Sequence, residues 1–219
     1  IEMFAHGALC MAVSGKCYLS LQTYGASANR GACYQLCRRG YEVTDLETGT
    51  KLNIDNKYIM SPKDLCTIEF MDKIIDAGVK VFKIEGRARS AEYVKKTAEC
   101  YRRAADAVCE GRYTPELAAS LKEELSEVFN RGFWDGYYQG ARLGEWSDVY
   151  GSHATRKKIY CGKITNWFDR ISVAEVLVES EALRKGDDIL IIGETTGVIE
   201  QNVSEIRIDL KPTDEAGKG

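Results

Sequence analysis

The sequence predicts an α/β domain, part of an α/β barrel or sheet, followed by a small all-β module. Val79–Glu85 is an apolar run set between two helical patterns, so it reads as a buried parallel strand. Beyond residue 158 the periodicity changes to short alternating strands punctuated by turn residues. Between the two regimes, Gly151–Lys158 (Gly-Ser-His-Ala-Thr-Arg-Lys-Lys) reads as a linker. The expected organisation is therefore 1–150, a linker over 151–158, and a β module over 159–219.

The elements follow in order. Ile1–His6 alternates as a strand, placing Glu2, Phe4 and His6 on one face, and Gly7 ends it. Gly7–Gly40 is a glycine-rich loop carrying cysteines, with a short helical stretch expected near Ala8–Val13. Tyr41–Asn56 predicts a hairpin of 42–45 against 51–54, turning at Gly49. Ser61-Pro62 predicts a helix start, with Leu65, Ile68, Met71, Ile74 and Ile75 at helical spacing until Gly78. Cys66 would lie in its first turn, facing back toward the loop. In the next strand Phe82 and Ile84 face the helices, while Lys83, Glu85 and, just beyond, Arg87 share the other face. Charges at the carboxyl end of a parallel strand sit where α/β folds carry chemistry, with a salt-bridged strand end as the lesser alternative.

Ser90 caps a long helix with Val94, Ala98, Tyr101, Ala105 and Val108 as its apolar stripe, ended by Gly111. Lys95, Lys96, Arg102 and Arg103 read as its solvated face. Thr114-Pro115 opens another helix, with Leu117, Leu121, Leu125, Val128 and Phe129 inward. Asn130–Gly140 then holds four aromatics between glycines, either a stacking surface or a plug. Strands are expected at 159–166, 171–178, 188–192, 197–201 and 205–209.

Composition narrows the function classes. With 44% apolar and 29% charged residues the chain has an ordinary globular composition. No apolar run reaches membrane-span length and no secretory signal is recognisable, so a cytoplasmic protein without a membrane partner is expected. A net charge of −3 excludes coating of nucleic acid by bulk charge but leaves a local basic patch open. The chain starts without Met inside a strand and stops in a turn, which suggests part of a longer protein.

Eight cysteines without an export signal point to metal ligation, catalysis or burial rather than disulfides. Cys100, Cys109 and Cys161 lie among apolar residues and read as small buried hydrophobes. Cys10, Cys17, Cys33 and Cys37 fall within 28 residues, and Cys66 follows. No Cys-x-x-Cys knuckle occurs, and the wide spacing suits an iron–sulfur cluster better than zinc, with unligated thiols also open. A His6–Cys10 nucleophile pair would leave the other thiols unexplained. Gly-x-Ser-x-Gly and His-Glu-x-x-His are absent.

Several motifs together support a resemblance. Glu2-x-Phe4-x-His6-Gly7-Ala8-Leu9-Cys10, followed by Ser14-Gly15-Lys16-Cys17-Tyr18-Leu19-Ser20, resembles the signature of peptidase family U32, the collagenase-like proteases. Asn29–Arg38, Ser61–Cys66, Lys83–Arg87 and Asn130–Phe133 extend the match over about residues 1–150. The resemblance implies the C-terminal part of a TIM-type barrel followed by a small β-barrel domain. Better-understood relatives carry out oxygen-independent hydroxylation of tRNA wobble uridine, with prephenate implicated as hydroxyl donor, of ribosomal-RNA cytidine, or of the ubiquinone ring.

Carried over, the ligands of a 4Fe–4S cluster would be Cys10, Cys17, Cys33 and Cys66, with Cys37 spare. Some relatives use a Cys-x-x-x-Cys pair, which would bring in Cys37 beside Cys33, and zinc is the alternative metal. Lys83, Glu85 and Arg87 would handle an anionic donor or RNA phosphate, and Glu2 or His6 would move protons. Asn29, Arg30, Gln35, Arg38, Asn130, Phe133 and Trp134 would bind substrate, the aromatics by stacking a pyrimidine. The expected partners are tRNA or another RNA. A TIM barrel takes roughly 250 residues, so either an N-terminal half or self-pairing is expected to complete it. A peptidase and a non-catalytic metal- or RNA-binding module are the alternatives to an RNA hydroxylase.

Overall fold

The computed structural model describes residues 1–12, 16–51 and 58–219. They form two compact units, 1–155 and 156–219, which divide inside the stretch read as a linker.

The first unit is built on a sheet of β1 (Glu2–Gly7), β2 (Asp64–Cys66), β3 (Val81–Glu85) and β4 (Phe133–Trp134), in the spatial order β3-β1-β2-β4. β1 runs parallel to β3, as alternation with helices predicts, but antiparallel to β2, and β2 is parallel to β4. The sheet is mixed. Helices α1 (Leu19–Tyr24), α2 (Met71–Asp76), α3 (Ala91–Cys109) and α4 (Pro115–Ser126) complete the unit. Ala5, Ile68, Met71, Cys100, Ala104, Leu121 and Leu125 are all fully buried and form one core between sheet and helices.

Three expectations are corrected. The helix expected from Ser61 is instead strand β2, a 3-10 turn over Ile68–Phe70, and then α2. The spacing of Leu65, Ile68, Met71 and Ile74 reflects burial on successive short elements, so Cys66 lies on a strand rather than in a first helical turn. On α3 the buried stripe is Tyr93, Thr97, Cys100, Tyr101, Ala104 and Ala107, one step round from the expected one, and Val94 is exposed. Cys109 is exposed, because the last residue of α3 runs past the core.

α4 starts as its sequence dictates: Thr114 Oγ1 accepts the Leu117 backbone N–H at 3.2 Å, with Pro115 in the first turn. The cysteine loop holds α1 and two 3-10 turns, Ala28–Arg30 and Leu36–Arg38. Of the helical stretch expected at Ala8–Val13, residues 8–12 are not helical and Val13 lies outside the described residues. Of the hairpin expected at 41–56, Thr44 bridges Lys51, and residues 52–56 lie outside the described residues.

The second unit is a set of antiparallel pairs. β5 (Gly162–Phe168) and β6 (Val173–Val178) form one hairpin. β7 (Leu183–Arg184) precedes β8 (Asp188–Gly193) and β9 (Gly197–Asn202), which form a second. β10 (Ile206–Ile208) pairs with β11 (Lys211–Thr213), and β12 (Glu215–Ala216) returns to β7. The two-residue strands β7 and β12 are too short to show alternation. Among the described residues no helix is long and apolar enough to cross a membrane.

Candidate functional site

β1 delivers the chain into the cysteine loop at Gly7, and the geometry there is tight. Gly7 has φ +119° and pairs with Glu85, so close that an added Cβ would lie 2.6 Å from the Glu85 carbonyl oxygen. Only glycine tolerates both the dihedral and the approach. A β-bulge between Phe4 and His6 breaks the alternation just before it. As a result Phe4 is exposed, while Ala5 and His6 are both buried. His6 does not share an exposed face with Glu2 and Phe4.

His6 is held in an aromatic core. Its ring lies 5.4 Å from Tyr101 and 5.5 Å from Phe133, between centroids. The Tyr101 hydroxyl donates to Ala5 O at 2.8 Å and accepts from the Thr67 backbone N–H at 2.9 Å. His6 Nδ1 lies 3.3 Å from that same oxygen. Since the hydroxyl proton is committed to Ala5, Nδ1 is the donor of the pair. Burial, reinforced by the nearby Arg89 guanidinium, pushes the His6 pKa down to about 3. A neutral, enclosed imidazole is ill-suited to shuttling protons near neutral pH.

The cysteines separate into two settings. Cys10 and Cys33 are exposed, Cys17 and Cys37 are half-buried, and all are free thiols. Burial raises the Cys37 pKa, Arg38 lowers it, and charge on Cys33, Cys10 and Cys17 raises it again. These four thiols are therefore electrostatic neighbours. Cys66 is buried, its Sγ is 3.9 Å from the Tyr101 hydroxyl, and burial lifts its pKa to about 11. Among the described residues no set of three or more His, Cys, Asp or Glu side chains converges tightly enough to hold one metal ion. In donor type and number the four loop thiols suit an iron–sulfur cluster, and they lie in one neighbourhood without being closed upon one point.

Beside this loop lies a charge cluster that sequence reasoning missed. Asp64, fully buried on β2, is 2.9 Å from Arg89 and 3.6 Å from Arg131, whose side chains are 6% and 10% exposed. Burial pushes the Asp64 carboxyl up, opposed by Arg89, Arg131 and Arg38 in that order. The tight turn after β3 brings Arg89 round, and the register of β4 on β2 places Arg131 two residues before the partner of Asp64. Both guanidiniums approach the Phe129 ring, at 4.1 Å and 5.0 Å from its centroid. Arg38 spans the gap to the cysteine loop. It donates to Leu9 O at 2.7 Å, to Ser61 Oγ at 3.1 Å and to Pro62 O. The signal available in the sequence was three arginines in turn-rich, apolar surroundings, which require a buried counter-charge.

The other expected site residues fall as follows. Lys83 is half-exposed, 3.7 Å from Glu2 and 4.7 Å from the Phe4 ring centroid, so this end of β3 is a salt-bridged edge. Glu85 Oε1 accepts the Arg87 backbone N–H at 3.1 Å. Arg87 is exposed, and its guanidinium approaches Gly31, two residues before Cys33. Asn29 and Arg30 are exposed on the 3-10 turn preceding Cys33. Gln35 Oε1 accepts Arg131 Nη2 at 2.9 Å. Asn130 is buried and structural: its amide donates to Ser126 O and Val128 O, and its carbonyl accepts the Gly132 N–H at 3.0 Å. Phe133 packs on the core and Trp134 is buried, because β4 is paired into the sheet, so neither presents a face for stacking. Tyr137 and Tyr138 are the exposed aromatics of that stretch.

A family model described as peptidase family U32 matches residues 1–148. The protein named "Collagenase" in Porphyromonas gingivalis is 61% identical over all 219 residues, which cover 53% of its length. "tRNA hydroxylation protein P1" of Bacillus subtilis is 32% identical over 88% of this chain and 46% of its own. "23S rRNA 5-hydroxycytidine C2501 synthase" of Escherichia coli is 41% identical over 66% of this chain and 23% of its own. The chain thus spans about half the length of the curated relatives it matches across its whole extent. No solved structure matches it.

Proposed function

The chain belongs to peptidase family U32, and from that premise we propose that it serves an iron–sulfur enzyme hydroxylating RNA without molecular oxygen, with the wobble uridine of tRNA as substrate. The mixed sheet is taken in the same proposal as the C-terminal part of a TIM-type barrel. The observation that carries it is the neighbourhood of Cys10, Cys17, Cys33 and Cys37 against Arg38. Two relatives named for RNA hydroxylation support the substrate class.

Cys10, Cys17 and Cys33 would hold the cluster, with Cys37 as fourth ligand in place of the Cys66 that the resemblance implies. Cys66 faces the Tyr101 hydroxyl instead, at 3.9 Å. Such a cluster, when bound, supplies one-electron chemistry. The chain's own residues do the rest. Arg38 pins the loop through Leu9 O and places a positive charge beside Cys37, which opposes the burial that raises the Cys37 pKa. Arg30 and Arg87, exposed beside Cys33, are suited to RNA phosphates. Tyr137 and Tyr138 offer exposed rings on which a base can stack. His6, enclosed against Tyr101 and Phe133, is a packing residue in this reading rather than a proton carrier.

The test is iron and acid-labile sulfide analysis of anaerobically purified protein, with nucleoside mass spectrometry of RNA from a strain lacking the gene. Absence of both sulfide and any lost hydroxylated nucleoside refutes the proposal. The 61% identity to a relative named for collagenase favours a peptidase as the second reading. Release of peptides from gelatin, abolished by Cys10→Ser, would establish that one instead.

A further inference from the structure

The buried charge around Asp64 does not balance. Three guanidiniums, Arg38, Arg89 and Arg131, act on one carboxylate. Arg89 takes Asp64 as a direct partner at 2.9 Å. Arg38 has Cys37 and Cys10 within electrostatic reach and neutral oxygens on its hydrogen-bonding edges. Arg131 has no carboxylate to itself and shares Asp64 with Arg89. Its Nη1 forms a long ion pair with Asp64 Oδ1 at 3.6 Å, and both atoms are buried without a hydrogen bond of ordinary length. Burial and the neighbouring Arg38 push the Arg131 pKa down to about 10.

Its remaining hydrogen-bond partner is informative. Arg131 Nη2 donates to Gln35 Oε1, a neutral amide oxygen, at 2.9 Å. Gln35 is one of four non-glycine residues with positive φ among those described, at +51°. That backbone is uncommon for a long side chain. A strained residue therefore delivers an uncharged oxygen to the position where a guanidinium fork takes a carboxylate or phosphate oxygen.

We propose that Arg131, backed by Arg89 and Arg38, is a receptor for a small oxyanion, a carboxylate or a phosphate, and that Gln35 Oε1 holds the place of one of its oxygens. Binding exchanges the amide for the anion, so Arg131 gains two charge-assisted bonds and Gln35 swings out. Such a site is distinct from the exposed Lys83, Glu85 and Arg87 edge. It holds for either an RNA-modifying or a proteolytic chemistry.

The experiment is thermal unfolding of the protein titrated with sodium malonate or sodium phosphate, against sodium chloride at matched ionic strength. A saturable rise in melting temperature beyond chloride is expected. Response to malonate alone assigns a carboxylate, and to phosphate alone a phosphate. Gln35→Glu supplies an internal anion and should weaken the response about tenfold or abolish it, while raising the melting temperature without added anion. Gln35→Met removes the placeholder without adding charge and should bind more tightly, which serves if Gln35→Glu does not fold. No saturable response in the unmodified protein overturns the proposal. So does a response that Gln35→Glu leaves unchanged, or one that Gln35→Met leaves unchanged or weakens.

Discussion

Acidification should destabilise this protein through His6 in an amount that can be worked out. In the unfolded chain the imidazole titrates near 6.5, and in the fold it is held down to about 3 by burial and then by Arg89. Below pH 6.5 the unfolded state therefore binds a proton that the folded state refuses. The His6 contribution is fully present above pH 6.5 and is lost progressively as pH falls toward 3. Each pH unit well inside that window removes about 1.4 kcal/mol, so lowering pH from 7.5 to 4.5 removes about 2.7 kcal/mol. Urea unfolding of the unmodified chain and of His6→Gln at both pH values isolates this, since other titrating groups are common to the two. The unmodified chain should lose about 2.7 kcal/mol more than the variant. Equal losses, or an imidazole NMR titration for His6 with a midpoint near 6.5, would refute the burial argument.

Other perturbations have equally definite outcomes. Tyr101→Phe removes the hydroxyl shared by Ala5 O, the Thr67 N–H and His6 Nδ1; the Thr67 N–H keeps its direct bond to Ala5 O at 3.2 Å, so the main loss is the His6 partner, and the change should cost about 1–3 kcal/mol in denaturant unfolding. Gly7→Ala forces a Cβ onto the Glu85 carbonyl at positive φ, and should cost at least about 2 kcal/mol, with slower-migrating, protease-sensitive protein as the readout. Asp64→Asn removes the one carboxylate among three arginines and should cost about 3–5 kcal/mol; a melting temperature unchanged within error would contradict that. Cys37→Ser should remove iron and sulfide from anaerobically reconstituted protein, whereas Cys66→Ser should spare them. The reverse pattern would return the fourth ligand to Cys66.

Much of this architecture was legible because local rules and burial agreed. Thr114-Pro115, the turn residues of the β module and the alternation across Val81–Glu85 each carry their own instruction. The stretch from Ser61 to Gly78 was misleading because three short elements, each burying one or two apolar residues, mimic a helical repeat. Strand β2 has only three residues, all buried, so it offers no alternation to detect. At the site, the cysteine loop was conspicuous, and four of its thiols are neighbours. The role of His6 was misjudged because a bulge, invisible in sequence, turns it inward. Trp134 and Phe133 invited a stacking role, since aromatic residues near glycines look alike whether they plug or bind. Asp64, Arg89 and Arg131 were overlooked because each is an ordinary surface residue until the strand register brings them together.

The reach of Arg38 has a consequence for how the molecule assembles. One side chain clasps Leu9, Ser61 and Pro62, positions separated by about fifty residues of chain. The entropy of closing that long loop is therefore offset at a single guanidinium, so the order of the thiol-bearing segment is tied to that of the chain leading into β2.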